Sequence, residues 1–331
     1  MRKADFLRNA DQRKTIDSIK TLVPDRFYSM EYFADYCLDE AIALNPATVD
    51  DFNVFAAKYL LNIPGMTAGL NGFGAGCSVF AGKTQEGEPL LVRNYDYSHK
   101  LTAAMIKCHP KIGYKSMGMC DLAFLGMEEG AFEDENADYS SLMLAPYIMV
   151  DGVNEKGVAV ATLELGYKGE YPPSEKPKLC TTFVPRLVLD RAASVKEAIE
   201  LLSLYDIVSP IPEYEFHFMI SDASGVTKVV ETVQGEMKVY DAKCVANEYL
   251  TPNYHADPEM TRFNIMKEYL KHRKGVFSAD EAMAVLRTVQ LDKTIGIGES
   301  ITRWSSVLNL ANRTIDLCYD RDFETKYHFE L

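Results

Sequence analysis

Cys77, Arg93 and Asp96 combine residue types and a spacing that suit covalent chemistry. They lie in "CSVFAGKTQEGEPLLVRNYDY" (77–97), two strand-like runs joined by a turn near Gln85 to Gly87. Such a hairpin sets Cys77 against a residue close to Tyr95, about 4.8 Å across the ladder, with Arg93 and Asp96 flanking the thiol. A guanidinium favours the thiolate, and a carboxylate can hold an ammonium. One ammonium that would serve is the α-amine of Cys77 itself, exposed if the Gly76–Cys77 bond is cut. With an ordinary pKa of about 7.7 to 8.0, that amine can act as general base to its own side chain. Gly74, Ala75 and Gly76 leave the preceding backbone pliable and unobstructed for attack by the sulfur. Taken alone, Cys77 reads as an inert core cysteine, as most are; its company along the chain reverses that reading.

The elements that must position these residues change character along the chain. Residues 1–70 read mostly as helix, in "TIDSIKTL", "SMEYFADYCLDEAIAL" and "FNVFAAKYLLNI", with apolar residues three and four apart. From Cys77 onward short β-rich runs are punctuated by Gly, Asn and Asp: "APYIMVDGV", "GVAVATLEL", "EFHFMISDA", "TKVVETVQ", "EMKVYDAK" and "SSVLNLANRTIDLCYD". Two helices carry capping boxes, Ser194 with Glu197 and Ser278 with Glu281, and a third is expected over about 258–272. Hairpin-linked strands and half-apolar helices predict antiparallel sheets covered by helices. "GFGAGC" precedes a strand and lacks GxGxxG spacing, so it is not a phosphate loop.

Composition narrows the partners. The chain has 331 residues, 47% hydrophobic and 25% charged, which suits a globular fold. Its formal charge of -13 opposes phosphate backbones and anionic bilayers, so no nucleic acid and no membrane insertion are expected. No signal peptide or membrane-length apolar run is present in the sequence, and seven dispersed cysteines fit a reducing cytoplasm. Neither Cys/His spacing nor any motif calls for a metal or an organic cofactor. Oligomeric state, including a homo-oligomer, is left open.

"CSVFAGKTQEGEPLLVRNYDY" resembles the opening of N-terminal-nucleophile cysteine amidases of the choloylglycine hydrolase (linear amide C-N hydrolase) family. "DGVNEKGVAVATLEL", "SVKEAIELL" with "FHFMISDASG", "VVETVQGEMKVYDAKCVANEYLTPN" and "TRFNIMKEYL" follow in matching order, so the resemblance spans roughly 77–320. It implies an α+β, four-layer αββα Ntn-hydrolase fold with two stacked antiparallel sheets between helical layers. It also implies Cys77 as nucleophile and base, ordered by Arg93 and Asp96, with Asn154 and Asn247 flanking an oxyanion and Arg262 closing the charged shell. Asn154 by itself reads as a turn former, Asn247 as a strand terminator. Arg262 sits in the first turn of a helix, where a cation is unfavourable unless it has a specific partner. Tyr97 and Asn94 read as packing or as support behind the site residues. The long segment before Cys77 is similar to the leaders of the acid ceramidase, N-acylethanolamine acid amidase and isopenicillin N acyltransferase branches. Residues 1–76 are therefore expected to be a helical leader, and 77–331 the catalytic domain.

The implied activity is hydrolysis of linear non-peptide amides of the conjugated bile salt, penicillin V or N-acyl amine type, through a thioester and after self-cleavage at Gly76–Cys77. The expected partner is a small amide with a lipophilic acyl group. Met105, Phe124, Met127 and Tyr147, in and around the acidic stretch "GMEEGAFEDENADYSS", are candidates for an acyl pocket. The alternatives are an acyltransferase that passes the acyl group to an amine and an uncut, inactive ligand-binding homologue.

Overall fold

Alternation of apolar residues along the strand Cys77–Lys83 sends Val79 and Ala81 to one side and Phe80 to the other, so this strand must be covered on both faces. The computed structural model, which describes residues 4–62, 76–98, 101–132, 137–165, 171–211, 214–252, 254, 261–292 and 300–331, shows how. A six-stranded sheet runs, in spatial order, Cys244–Val245, Cys77–Lys83, Pro89–Tyr97, Ile301–Asn309, Thr314–Tyr319 and Tyr327–Glu330. A nine-stranded sheet stacks on it, with central strands Ala103–Cys108, Ser116–Asp121, Met149–Asn154, Ala159–Leu165, Glu215–Ser221 and Thr227–Val233. Helices Val184–Arg191 and Val195–Leu202 cover the nine-stranded sheet. Helices Thr261–Arg273 and Ala279–Thr288 cover the six-stranded one, where Phe80, Val92, Phe277 and Leu286 form a separate outer core. This is the expected αββα order.

The hairpin has the expected register, with Cys77 opposite Tyr95 and Val79 opposite Arg93. Its turn places Gly87 at φ 90°, a left-handed conformation that suits glycine. The Ser278–Glu281 capping box is complete. Ser194 accepts from the Glu197 N–H, but the Glu197 carboxylate returns to the N–H of Ala193, one residue earlier than a capping box requires.

Residues 4–62 depart from the mostly helical expectation. Helices occupy Ala10–Asp17, Leu38–Ala43 and Val49–Phe55, the last continuing as a π-helical turn over Ala56–Leu60. Lys20–Val23 and Phe27–Tyr32 are strands. Phe27–Tyr32 pairs in parallel with Ala103–Cys108, so the N-terminal segment extends the nine-stranded sheet. Short apolar runs such as "FYSMEY" satisfy helical and strand spacing alike, and an available sheet edge decides for the strand. Among the described residues no helix is long and apolar enough to cross a membrane.

Candidate active site

Because Cys77 shares the inward parity of Val79, its side chain enters the space between the sheets, where it is buried. Arg93 and Tyr95 point the same way from the neighbouring strand. Arg93 is fully buried, and its Nη2 lies 3.2 Å from Cys77 Sγ and donates to Thr162 O at 2.8 Å. Its Nη1 donates to Val150 O (2.7 Å) and Asp151 Oδ2 (3.1 Å). The guanidinium is thus locked by the opposite sheet and aimed at the sulfur. Burial pushes the Cys77 thiol above its usual range, and Arg93 offsets only part of that.

Asp96 has the opposite parity and faces the helices. Its carboxylate accepts hydrogen bonds from Arg262 Nη1 and Thr302 Oγ1, the latter directly opposite it in the ladder. Burial pushes the Asp96 carboxyl up, and Arg262 and Thr302 work against that. Arg262 therefore has the specific partner that outweighs its unfavourable helix position. Its Nη2 also reaches Cys77 O (3.3 Å) and Asn247 Oδ1 (3.1 Å).

Asn247 arrives by register. Val245 pairs with Val79, so the same antiparallel ladder, continued two residues, brings 247 opposite 77. Asn247 Oδ1 accepts the Cys77 N–H at 2.6 Å, while Nδ2 donates to Glu164 O at 2.7 Å. The Gly76 carbonyl accepts the Asp96 N–H at 2.7 Å. A Cβ on Gly76 would stand 3.0 Å from Leu291 Cδ1, 3.2 Å from Asp96 Oδ2 and 3.3 Å from Arg262 Nη2, tighter than ordinary contact, so a side chain here would press on this ion pair. Gly74 and Ala75 lie outside the described residues.

Of the five candidates besides Cys77, four thus converge on it, and Asn154 does not. On Met149–Asn154, Asp151 faces the six-stranded sheet, and alternation turns Asn154 to the opposite face. There its Nδ2 donates to Leu189 O and Ala192 O at the end of a covering helix, while Oδ1 accepts from Lys156 and Val158 N–H. The expected oxyanion position is corrected to a turn and helix anchor. Asn94 is likewise packing, with its side chain donating to Leu286 O.

A pocket opens beside Cys77, walled by Tyr95, Phe124, Tyr147, Ile148, Pro185 and Phe216, with Thr162 and Glu164 as polar members. Phe124 and Tyr147 were expected in it; Met105 and Met127 are buried in the adjoining core instead. Asp151, Thr302 and Glu164 escaped the sequence reading. Asp151, in the quoted "DGVNEKG", carried the better signal, as an acid at an inward strand position; Thr302 and Glu164 carried none.

Behind the pocket, Tyr95 OH and the Ala123 N–H each donate to Asp121 at 3.0 Å. Burial pushes that carboxyl from 3.8 up to about 7. The folded state then holds a proton that the unfolded chain has released, so this group's contribution to stability falls as pH rises from about 4 to about 7 and is level above. The full span corresponds to about 4 kcal/mol. Chemical denaturation of Asp121→Asn should lack this fall, and equal pH slopes in variant and wild type would exclude it.

Together the layers and the inward cysteine at the start of a strand define the N-terminal-nucleophile hydrolase fold. The chain belongs to the linear amide C-N hydrolases, choloylglycine hydrolase family, which residues 77–264 match. It is 31% identical over 103 residues to the penicillin V acylase of Pectobacterium atrosepticum, covering 28% of this chain and 27% of that protein. It is 28% identical over 179 residues to the bile salt hydrolase/transferase of Clostridium perfringens, half of each chain. The chain thus spans half or less of the length of these curated relatives. Among solved structures, a mutant of the conjugated bile acid hydrolase from C. perfringens superposes with TM-score 0.57 at 18% identity, over 77% of this chain and 92% of that one. The penicillin V acylase from Agrobacterium tumefaciens gives 0.57 at 18%, over 77% and 86%.

Proposed function

We propose that this protein hydrolyses linear, non-peptide amides bearing a lipophilic acyl group, using Cys77 as an N-terminal nucleophile freed by scission of Gly76–Cys77. The observation that carries the reading is the Cys77 sulfur held 3.2 Å from the buried Arg93 guanidinium at the wall of an aromatic pocket. The family match begins at Cys77, which supports residues 1–76 as the leader and 77–331 as the catalytic domain.

In scission, Sγ attacks the Gly76 carbonyl carbon, and the Asp96 N–H already bonded to that oxygen steadies the developing oxyanion. The C–N bond breaks as the nitrogen takes a proton, leaving a thioester and the Cys77 amine; water then cleaves the thioester and leaves a Gly76 carboxylate. In turnover the amine accepts the thiol proton, with Asn247 Oδ1 orienting it. An ammonium beside the sulfur adds to Arg93 in opposing the effect of burial on the thiol. The thiolate attacks the substrate carbonyl, the ammonium returns its proton to the leaving amine, and water releases the acid. Asp96 and Arg262 hold the outer side of this shell. The same thioester can pass its acyl group to an amine, and the C. perfringens relative is named for both activities.

Intact-mass measurement of purified protein under denaturing conditions should give two fragments broken between Gly76 and Cys77. Under native conditions they should co-elute, because Phe27–Tyr32 is paired into the nine-stranded sheet. Fatty-acyl amines, bile-acid conjugates and penicillin V should then be screened for amine release, with added amines to detect transfer. An unbroken chain that binds an acyl amide without turning it over would overturn the reading in favour of a binding protein.

A further inference from the structure

The turn that carries Asn247 is held at both ends by a pair of side chains outside the shell described above. His217 and Glu231 face each other directly across the strands Glu215–Ser221 and Thr227–Val233, both fully buried, with Nδ1 and Oε1 3.4 Å apart. At one end of the turn His217 Nε2 lies 2.8 Å from Ala246 O. A carbonyl oxygen only accepts, so Nε2 carries the hydrogen. At the other end Glu231 accepts the N–H of Leu250 (2.6 Å), the N–H of Thr251 (3.2 Å) and the Thr251 hydroxyl (3.0 Å). Burial disfavours the Glu231 carboxylate, yet bonds from His217, Leu250 and Thr251 outweigh it and keep the group below its usual range. Glu248, within the turn, accepts the Ala246 N–H at 3.2 Å.

Between these two anchors sits Asn247, with Oδ1 on Cys77 N and Nδ2 on Glu164 O. The strand Cys244–Val245 makes only two ladder pairs with the strand of Cys77, a short hold for a residue that must meet the nucleophile to within a hydrogen bond. We propose that His217 and Glu231 are positioning residues that clamp residues 246–251 from the opposite sheet and thereby set the Asn247 amide against the Cys77 nitrogen.

The kinetic part of this inference rests on the proposed amide hydrolysis. A displacement of about 1 Å at a reacting group costs about 100-fold in rate, so Glu231→Gln, which keeps shape but leaves one acceptor oxygen where Leu250 and Thr251 use two, should slow scission and kcat by up to about 100-fold with little change in KM. His217→Ala should do the same. His217→Gln, whose amide can still donate to Ala246 O, should recover much of the loss. In an Asn247→Ser background, where the amide that both residues position is gone, Glu231→Gln should add little further loss to the scission rate that remains, since both act through one group.

Hydrogen exchange supplies a readout independent of catalysis: Glu231→Gln should speed exchange across 244–252 while the central strands of both sheets stay protected. Wild-type kinetics in both variants, losses that multiply with Asn247→Ser, or exchange accelerated throughout both sheets would each overturn the clamp. If wild-type protein turns over no acyl amide, the proposed function falls separately, and unchanged exchange at 244–252 in Glu231→Gln would still count against the clamp.

Discussion

Cys77→Ala protein is expected to purify as one unbroken chain and to release no amine from any acyl amide that the wild type cleaves. Loss of the sulfur removes the nucleophile for both scission and turnover, and what remains is the polar shell around Gly76 and Cys77. In a serine hydrolase, loss of the covalent nucleophile costs on the order of 10⁶ in kcat. The fold should survive, because the alanine replaces a single sulfur at an inward position whose neighbours, Val79 and Tyr95, hold the strand in place. Cys77→Ser keeps an attacking atom, but a hydroxyl gives up its proton far less readily than a thiol, so scission should be strongly slowed. Intact mass and amine release measured together check both variants. Amide hydrolysis by the alanine protein would show that the nucleophile lies elsewhere.

Arg93→Met should be the most damaging single change away from the sulfur, and it should act on two observables. One is chemistry, because the cation 3.2 Å from Sγ is what opposes the effect of burial on the thiol. The other is stability, because Asp151, Val150 O and Thr162 O all lose their shared donor inside the protein. Breaking a buried ion pair from one side costs about 3 to 5 kcal/mol. Asp151 retains Trp304 Nε1 and, more distantly, the Met119 N–H as donors, so neutralising it should recover part of that loss. The double variant Arg93→Met with Asp151→Asn should accordingly regain denaturation midpoint without regaining rate. Arg93→Lys restores the charge but not the fork that reaches sulfur, carboxylate and two carbonyls at once, and should remain impaired. If Arg93→Met retained wild-type turnover, the guanidinium would have no part in activating the thiol.

These two expectations concern a site of which the sequence disclosed one part well. Cys77, Arg93, Tyr95 and Asp96 sit within one hairpin, so turn position and period-2 alternation were enough to place them opposite or beside one another. The capped helix Ala279–Thr288 and the strands from Met149 to Leu165 were legible for the same reason: their signals are local, a serine three residues before a glutamate or apolar residues at every second place. Family resemblance extended this to Asn247 and Arg262, whose convergence on Cys77 no local pattern implied.

What the tertiary structure alone decided is which face of each strand points between the sheets and which strands are neighbours. Arg93 and Asp96 are three apart on one strand, so they leave it on opposite faces, one toward Asp151 and the other toward Arg262. The same parity takes Asn154 away from the cysteine although Asp151, three residues earlier, reaches its arginine partner. Thr302, more than 200 residues from Asp96 in the chain, becomes its direct neighbour through strand order. Phe27–Tyr32 becomes a strand because a sheet edge is there to receive it. Alternation is written into the sequence, whereas the order of strands in a sheet is settled by the packing of the whole chain.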